Sequence, residues 1–305
     1  TFVIDLSGPY FYLLGKILYF FIRTKKVVFI SCDGLDFLKR ENNSINLWMG
    51  GASEKILDKY KKFKNNFVPA STIFSDESKL LTFYPTLIVK EKFKKNFKFV
   101  YIAENKNVDF EKSIIIWKNY KNEILDNLNL LYNVNFWEGV IDKKNDPVQK
   151  IYIDIKSLAR LELINELNKI LNNKLILVGS NWKDKFPNAL ENNYSDKYVE
   201  NLYKGNVCID FGSKNSDKSI YSRSCKIIES GGLLFQSIHQ DSKELFKDLF
   251  SKTCFTSLQD MRQKIYFFLN NPDQIDDLFA SQQKNFESDE LNNITLKKIE
   301  NFINK

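Results

Sequence analysis

Short, nearly unbroken apolar runs alternate along this chain with segments of helical periodicity, and that alternation constrains the fold more than any other feature. Lys26–Cys32, Lys98–Ala103, Lys174–Val178, Val207–Phe211 and Leu233–Phe235 are such runs, and polar or helix-patterned stretches separate them. Strands that take turns with helices form βαβ units and build an α/β layer. The first unit reads as a strand at Val3–Leu6, a Ser7-Gly8-Pro9 break, an apolar helix and the strand that ends at Cys32. An extended run, Ile45–Gly51, closes on two glycines. Phe110–Leu131 then carries Ile114, Trp117, Ile124, Leu128 and Leu131 at helical spacing.

A chain of 305 residues suggests two domains. Between Asn133 and Gln149 the periodicity gives way to Asn, Asp, Lys, Gly139 and Pro147, which predicts the inter-domain connection there. The expected architecture is two Rossmann-like domains facing across a cleft. One covers residues 1–145 and the other residues 146–285, with a C-terminal helix over 286–305 packing back toward the first. Ligands of open α/β sheets bind beyond the carboxyl ends of the strands, so Asp33, Gly50, Gly179 and Arg223 are expected along one groove.

Composition narrows the function. With 43% hydrophobic residues and only 11 Gly and 6 Pro, the chain has material for a core and is neither fibrous nor low in complexity. The net charge of +7 is carried almost entirely by Lys, because Arg stands at 23, 40, 160, 223 and 262 alone. Nucleic-acid readers favour Arg forks, so this balance argues against nucleic acid as a partner and suits phosphorylated ligands or an anionic membrane surface. Cys32, Cys208, Cys225 and Cys254 are too far apart for a metal knuckle and read as reduced thiols. His239 is the sole histidine, which excludes two-histidine mechanisms and reads as structural.

Tyr10–Ile22 is intensely apolar, but at thirteen residues it is too short to span a bilayer, which takes about 20. It lacks a charged leader and a cleavage site. It is expected as a buried or partly interfacial helix, with peripheral contact at the inner face of the membrane as the alternative to a purely cytoplasmic location. The first residue is Thr rather than Met, so a few missing residues are an expectation.

The most informative stretch is Ser219–Gln236. A helix with Ser222, Arg223, Ser224 and Lys226 in its first turns, entered through Tyr221, directs amides and cations toward one spot, as anion sites do. The alternative is an exposed polar face held by an internal Lys226–Glu229 pair. Gly231-Gly232 permits a tight helix-to-strand turn with or without a ligand. Gly179-Ser180-Asn181 reads equally as a ligand loop and as plain turn chemistry. Asp33 and Glu104, each at a strand end, are the candidate bases for deprotonating an acceptor, with Asp5 third; each also suits a turn or a helix cap. Gly50 and Gly51 either bring backbone close to a ligand in the N-terminal cleft or simply end a strand.

In order, YVENLYKGNVCIDFG, YSRSCKIIESGGLLFQ, DSKELF and MRQKIYFFLNNPDQIDDL resemble the C-terminal half of GT-B glycosyltransferases, in the group-1-related branch with the spore-maturation glycosyltransferase-like proteins. The likeness covers roughly residues 198–280. Lys226 stands where those families place Glu three residues after the Arg, and Glu229 is the nearest acid. The resemblance implies donor-binding roles for Gly179, Ser180, Asn181, Tyr221, Ser222, Arg223, Ser224, Lys226, Glu229, Gly231 and Gly232. The implied activity is metal-independent sugar transfer from a nucleotide-diphosphate sugar to a cell-surface glycan, lipid-linked or protein acceptor, with no cofactor. A catalytically inactive module that binds glycan or nucleotide is the other reading.

Overall fold

A computed structural model describes residues 2–5, 27–31, 44–48, 67–69, 97–142, 145–191, 195–212, 222–239 and 242–286. The chain divides into two compact units. The first comprises Thr1–Tyr84, Asn215–Ile220 and Ser288–Lys305, and the second Pro85–Lys214 and Tyr221–Glu287. In the first, β1 (Phe2–Asp5), β2 (Val27–Ser31), β3 (Ser44–Trp48) and β4 (Phe67–Pro69) form a parallel sheet in chain order. The Tyr10–Ile22 segment lies outside the described residues, and among the described ones no helix is long and apolar enough to cross a membrane.

The second unit holds a five-stranded parallel sheet of β5 (Phe99–Ile102), β6 (Leu175–Val178), β7 (Val207–Asp210), β8 (Leu233–Ser237) and β9 (Cys254–Phe255). Its order is β6-β5-β7-β8-β9. The described helices of this unit are α1 (Glu111–Asp126), α2 (Val134–Val140), α3 (Val148–Leu171), α4 (Asp196–Tyr203) and α5 (Ser222–Glu229), followed by α6 (Ser242–Phe246), α7 (Phe250–Thr253), α8 (Leu258–Asn270) and α9 (Pro272–Phe286). The chain leaves β5 toward one side and returns to its other side at β7. The switch point of the sheet, where ligands of such folds enter, is therefore the gap between the carboxyl ends of β5 and β7.

The two faces of the sheet are told apart by strand alternation. Phe99 pairs with Val207 in register, and its ring meets Phe268 of α8 at 6.4 Å, while Phe235 of β8 meets the same ring at 5.4 Å. That face is covered by α1, α3 and α8, which pack on one another. Cys208 and Asp210 point the other way, Cys208 toward the Tyr203 carbonyl of α4 and Asp210 toward α5. Opposite coverage is what right-handed crossovers around a switch point produce.

The boundary read from the sequence near residue 145 differs from this division. The Lys98–Ala103 run forms β5, the strand between β6 and β7, and α1 packs on α3, so both belong to the second unit. The stretch from Asn133 to Gln149 holds α2 and the start of α3. The polar residues that broke its periodicity are largely helix caps and a turn: Asn133 accepts from the Phe136 amide, Asp146 accepts from the Asp142 amide, and Pro147 is the N-cap of α3.

Candidate functional site

Asp210 ends β7 with its side chain fully buried. Its carboxylate is met from three directions: Ser224 Oγ donates at 2.6 Å, the Gly212 amide at 2.9 Å and Arg223 Nη1 at 3.4 Å. Charge-assisted bonds of this kind let a carboxylate remain in a dry place. They also fix the first turn of α5 to the end of β7, so Arg223 and Ser224 are brought together around an acid that sequence reasoning passed over as part of an apolar strand. Arg223 keeps about a quarter of its side chain in solvent, at 24% exposure.

On the opposite face Arg160 of α3, at 7% exposure, donates from Nη2 to the Gly212 carbonyl at 3.0 Å. Gly212 thus joins Asp210 and Arg160, through its amide on one side and its carbonyl on the other. Its φ of +73° suits glycine, and a Cβ there would run into the His239 ring. His239 is buried at the end of β8 against Tyr132, ring to ring at 5.2 Å, and its amide donates to Ser242 Oγ at 2.8 Å, so its placement is structural. Tyr132 donates to the Phe211 carbonyl at 3.2 Å. Tyr101 of β5 has no hydrogen-bond partner for its hydroxyl among the described residues. Burial pushes that phenol up, with Asp210 adding to the rise and the Arg160 and Arg223 charges opposing it. Two of the five arginines therefore converge on the carboxyl ends of β5 and β7.

The other expected site residues fall elsewhere. Lys226 Nζ pairs with Glu200 Oε1 of α4 at 2.5 Å rather than with Glu229, and that hydrogen bond holds its ammonium above the usual lysine range. Gly231-Gly232 close α5 by a paired C-terminal motif. The Gly232 amide donates to the Ile227 carbonyl at 2.9 Å and the Gly231 amide to Ile228 at 3.0 Å, with Gly231 at φ +78°. A Cβ on Gly232 would lie 2.8 Å from Cys208 Sγ, so this glycine serves packing. Gly179, at φ +145°, touches the Ala103 carbonyl so closely that a Cβ would overlap it. Beside it Asn105 donates to the Asn181 carbonyl at 2.9 Å, Asn181 returns a bond to the Asn105 carbonyl at 3.2 Å, and the Asn105 amide donates to Ser180 O at 3.0 Å. Turn chemistry accounts for that loop.

Glu104 is exposed and follows β5, so it belongs to the unit that holds Arg223 and not to the N-terminal half where a base was expected. Asp33, Gly50, Gly51 and Tyr221 lie outside the described residues; Ser222 opens α5. Cys208, Cys225 and Cys254 are buried free thiols, all raised by burial, which makes them inert. Arg160, Lys156, Asp210 and Tyr132 were missed. The rarity of Arg was the available signal for Arg160, but a cation inside an otherwise apolar helix reads first as an exposed position. No family model, no curated protein and no solved structure matches the chain.

Proposed function

We propose that the second unit binds the diphosphate of a nucleotide sugar beyond β5 and β7, and that the chain transfers the sugar to a surface-glycan, lipid-linked or protein acceptor in the manner of a GT-B glycosyltransferase. The observation that carries this reading is Arg223, held by Asp210 at the amino end of α5 and still partly open to solvent. Such an end favours anions through its free amides and dipole, and a guanidinium beside it can take two oxygens at once. In the transfer, an acceptor hydroxyl attacks the anomeric carbon, the bond from that carbon to the diphosphate oxygen breaks, and a carboxylate takes the hydroxyl proton. Arg223 and the α5 amides would offset charge on the departing diphosphate.

A second reading, a module that binds nucleotide or glycan without turnover, is favoured by Lys226. Its ammonium is spent on Glu200 and is not available to a donor. A panel of nucleotide sugars separates the two: release of nucleoside diphosphate with any acceptor supports transfer, and binding without release supports the module. For either, replacing Arg223 by Ala should weaken nucleoside diphosphate binding by about tenfold to a hundredfold, the loss of one charge-assisted contact. Equal affinities in isothermal titration would remove the proposed diphosphate site.

A further inference from the structure

Arg160 is a buried cation whose hydrogen bond runs to a carbonyl, from Nη2 to Gly212, while its Nε has no partner among the described residues. Taking a guanidinium out of water is costly, and a carbonyl, being only a dipole, offsets that cost in part. The opposite charge stands on the other side of the same glycine, where the Gly212 amide donates to Asp210 Oδ1. Gly212 is fixed in place by its φ of +73° and by the His239 ring that lies where a Cβ would stand, so it holds the two charges at a set separation. Arg223 Nη1 reaches the same Asp210 oxygen at 3.4 Å, longer than the roughly 2.7–2.9 Å of a tight charge-assisted bond. Two guanidiniums therefore share one buried carboxylate. Tyr101, fully buried on β5, senses all three charges, which places them about one point at the ends of β5 and β7. Lys156, one turn before Arg160, adds a cation on that face with its ammonium over the Tyr132 and Tyr152 rings.

A carboxylate that neutralises Arg223 also weakens its hold on any other anion, and a cation that offsets the carboxylate gives that hold back. We propose that Arg160 is a positioning residue for the Arg223 site: bridged to Asp210 through Gly212, it offsets part of the carboxylate's pull and leaves the Arg223 charge to a diphosphate. The proposal rests on the reading of Arg223 as the diphosphate contact. To that reading it adds control of affinity from the opposite face of the sheet, by a residue that acts only through Asp210. The two buried groups then work with opposite signs: Asp210 lowers diphosphate affinity and Arg160 raises it. A purely structural role for either residue would give weaker binding whenever it is replaced.

Isothermal titration of the full chain with UDP, GDP and ADP reads the effect, and chemical denaturation shows which variants fold. Asp210→Asn keeps an acceptor for Gly212 and removes the charge, and it should tighten binding by about threefold. Arg160→Met should weaken binding by about threefold to tenfold, whereas Arg160→Lys, which keeps the charge, should stay within about twofold of wild type. Combining Arg160→Met with Asp210→Asn should bring affinity back to within about twofold of wild type, because the charge to be offset is gone. A folded Asp210→Asn that binds as wild type does, or more weakly, overturns the proposal, as does an Arg160→Met loss that Asp210→Asn leaves in place. If Asp210→Asn does not fold, equal affinities of Arg160→Met and Arg160→Lys overturn it; if Arg160→Met does not fold, the sign of the Asp210→Asn change decides. Arg223→Ala separates this control from the reading beneath it. Wild-type affinity in Arg223→Ala, or a wild type that binds none of the three nucleotides, removes the diphosphate site and the control together. A weakened Arg223→Ala beside an Asp210→Asn that fails to tighten removes the control alone.

Discussion

The loops after β6 and β7 begin alike, each running from a largely apolar strand into a glycine with positive φ, and they end in opposite physical states. After β6 the polar groups are spent on the fold: the Gly179 amide donates to Leu190 O at 3.0 Å, Asn105 and Asn181 exchange bonds, and Trp182 Nε1 donates to the Ala103 carbonyl at 2.5 Å. Just beyond, Lys106 continues the closure by pairing with the buried Asp154 at 2.6 Å. After β7 a buried carboxylate gathers Arg223 and Ser224, while Arg160 Nε, Ser237 Oγ and Tyr101 Oη nearby lack partners among the described residues. A glycine marks where backbones approach closely.

The contrast is sharpest at Asp210. Asp210→Ala should cost about 3–5 kcal/mol in chemical denaturation, since it strips partners from Ser224 and the Gly212 amide and unpairs Arg223. A loss under about 1 kcal/mol would mean that the carboxylate does not organise the end of β7. On the other loop, Gly179→Ala should cost about 2–3 kcal/mol through overlap with Ala103 and the φ of +145°, and should leave nucleoside diphosphate binding unchanged. If binding falls with it, that loop is part of the site after all.

A smaller effect tests whether charge secures the satisfied corner. Burial alone would raise the Asp154 carboxyl, but bonds from Lys106, Lys150 and Ser113 outweigh it and hold the group below its ordinary value. The unfolded chain therefore takes up this proton first as pH falls. Asp154 stabilises fully above its unfolded value, and the contribution is lost as pH drops through the lower folded one. Acid unfolding of Asp154→Asn should show a shallower decline over that window, and an unchanged profile would assign the acid sensitivity to other groups. The least effect belongs to Lys226→Met. Its pair with Glu200 is more than a third exposed on both sides, so stability should change by under about 1 kcal/mol and ligand binding not at all.

Much of the α/β pattern was legible because the strands β7 and β8 open on apolar runs and because Trp117 and Ile124, read at helical spacing, are buried in α1; that helix ends at Asp126, and Leu128 and Leu131 belong to a separate short turn after it. The division of the chain was not. Pairing β5 with strands far along the sequence leaves no local trace, and capping residues such as Asn133 carry the same chemistry as linker residues. The helix that carries Arg223 and Ser224 was legible in the sequence. Asp210 was hidden because one acid at the end of an apolar strand reads as a turn residue, and Gly231-Gly232 make the tight helix-to-strand turn that their spacing permits.

The position of β5 also has a kinetic side. It is made before either strand that flanks it, and the bond from the Lys98 amide to Asn206 Oδ1 spans 108 positions. At about 5–20 residues per second the second edge of β5 waits on the order of 5–20 s for its partner to emerge. Through that interval a four-residue apolar strand, fully buried in the finished sheet, carries unpaired amides and carbonyls. Its protection during synthesis must come from elsewhere, and slowing translation between residues 110 and 200 should lower the soluble yield more than slowing it after residue 240.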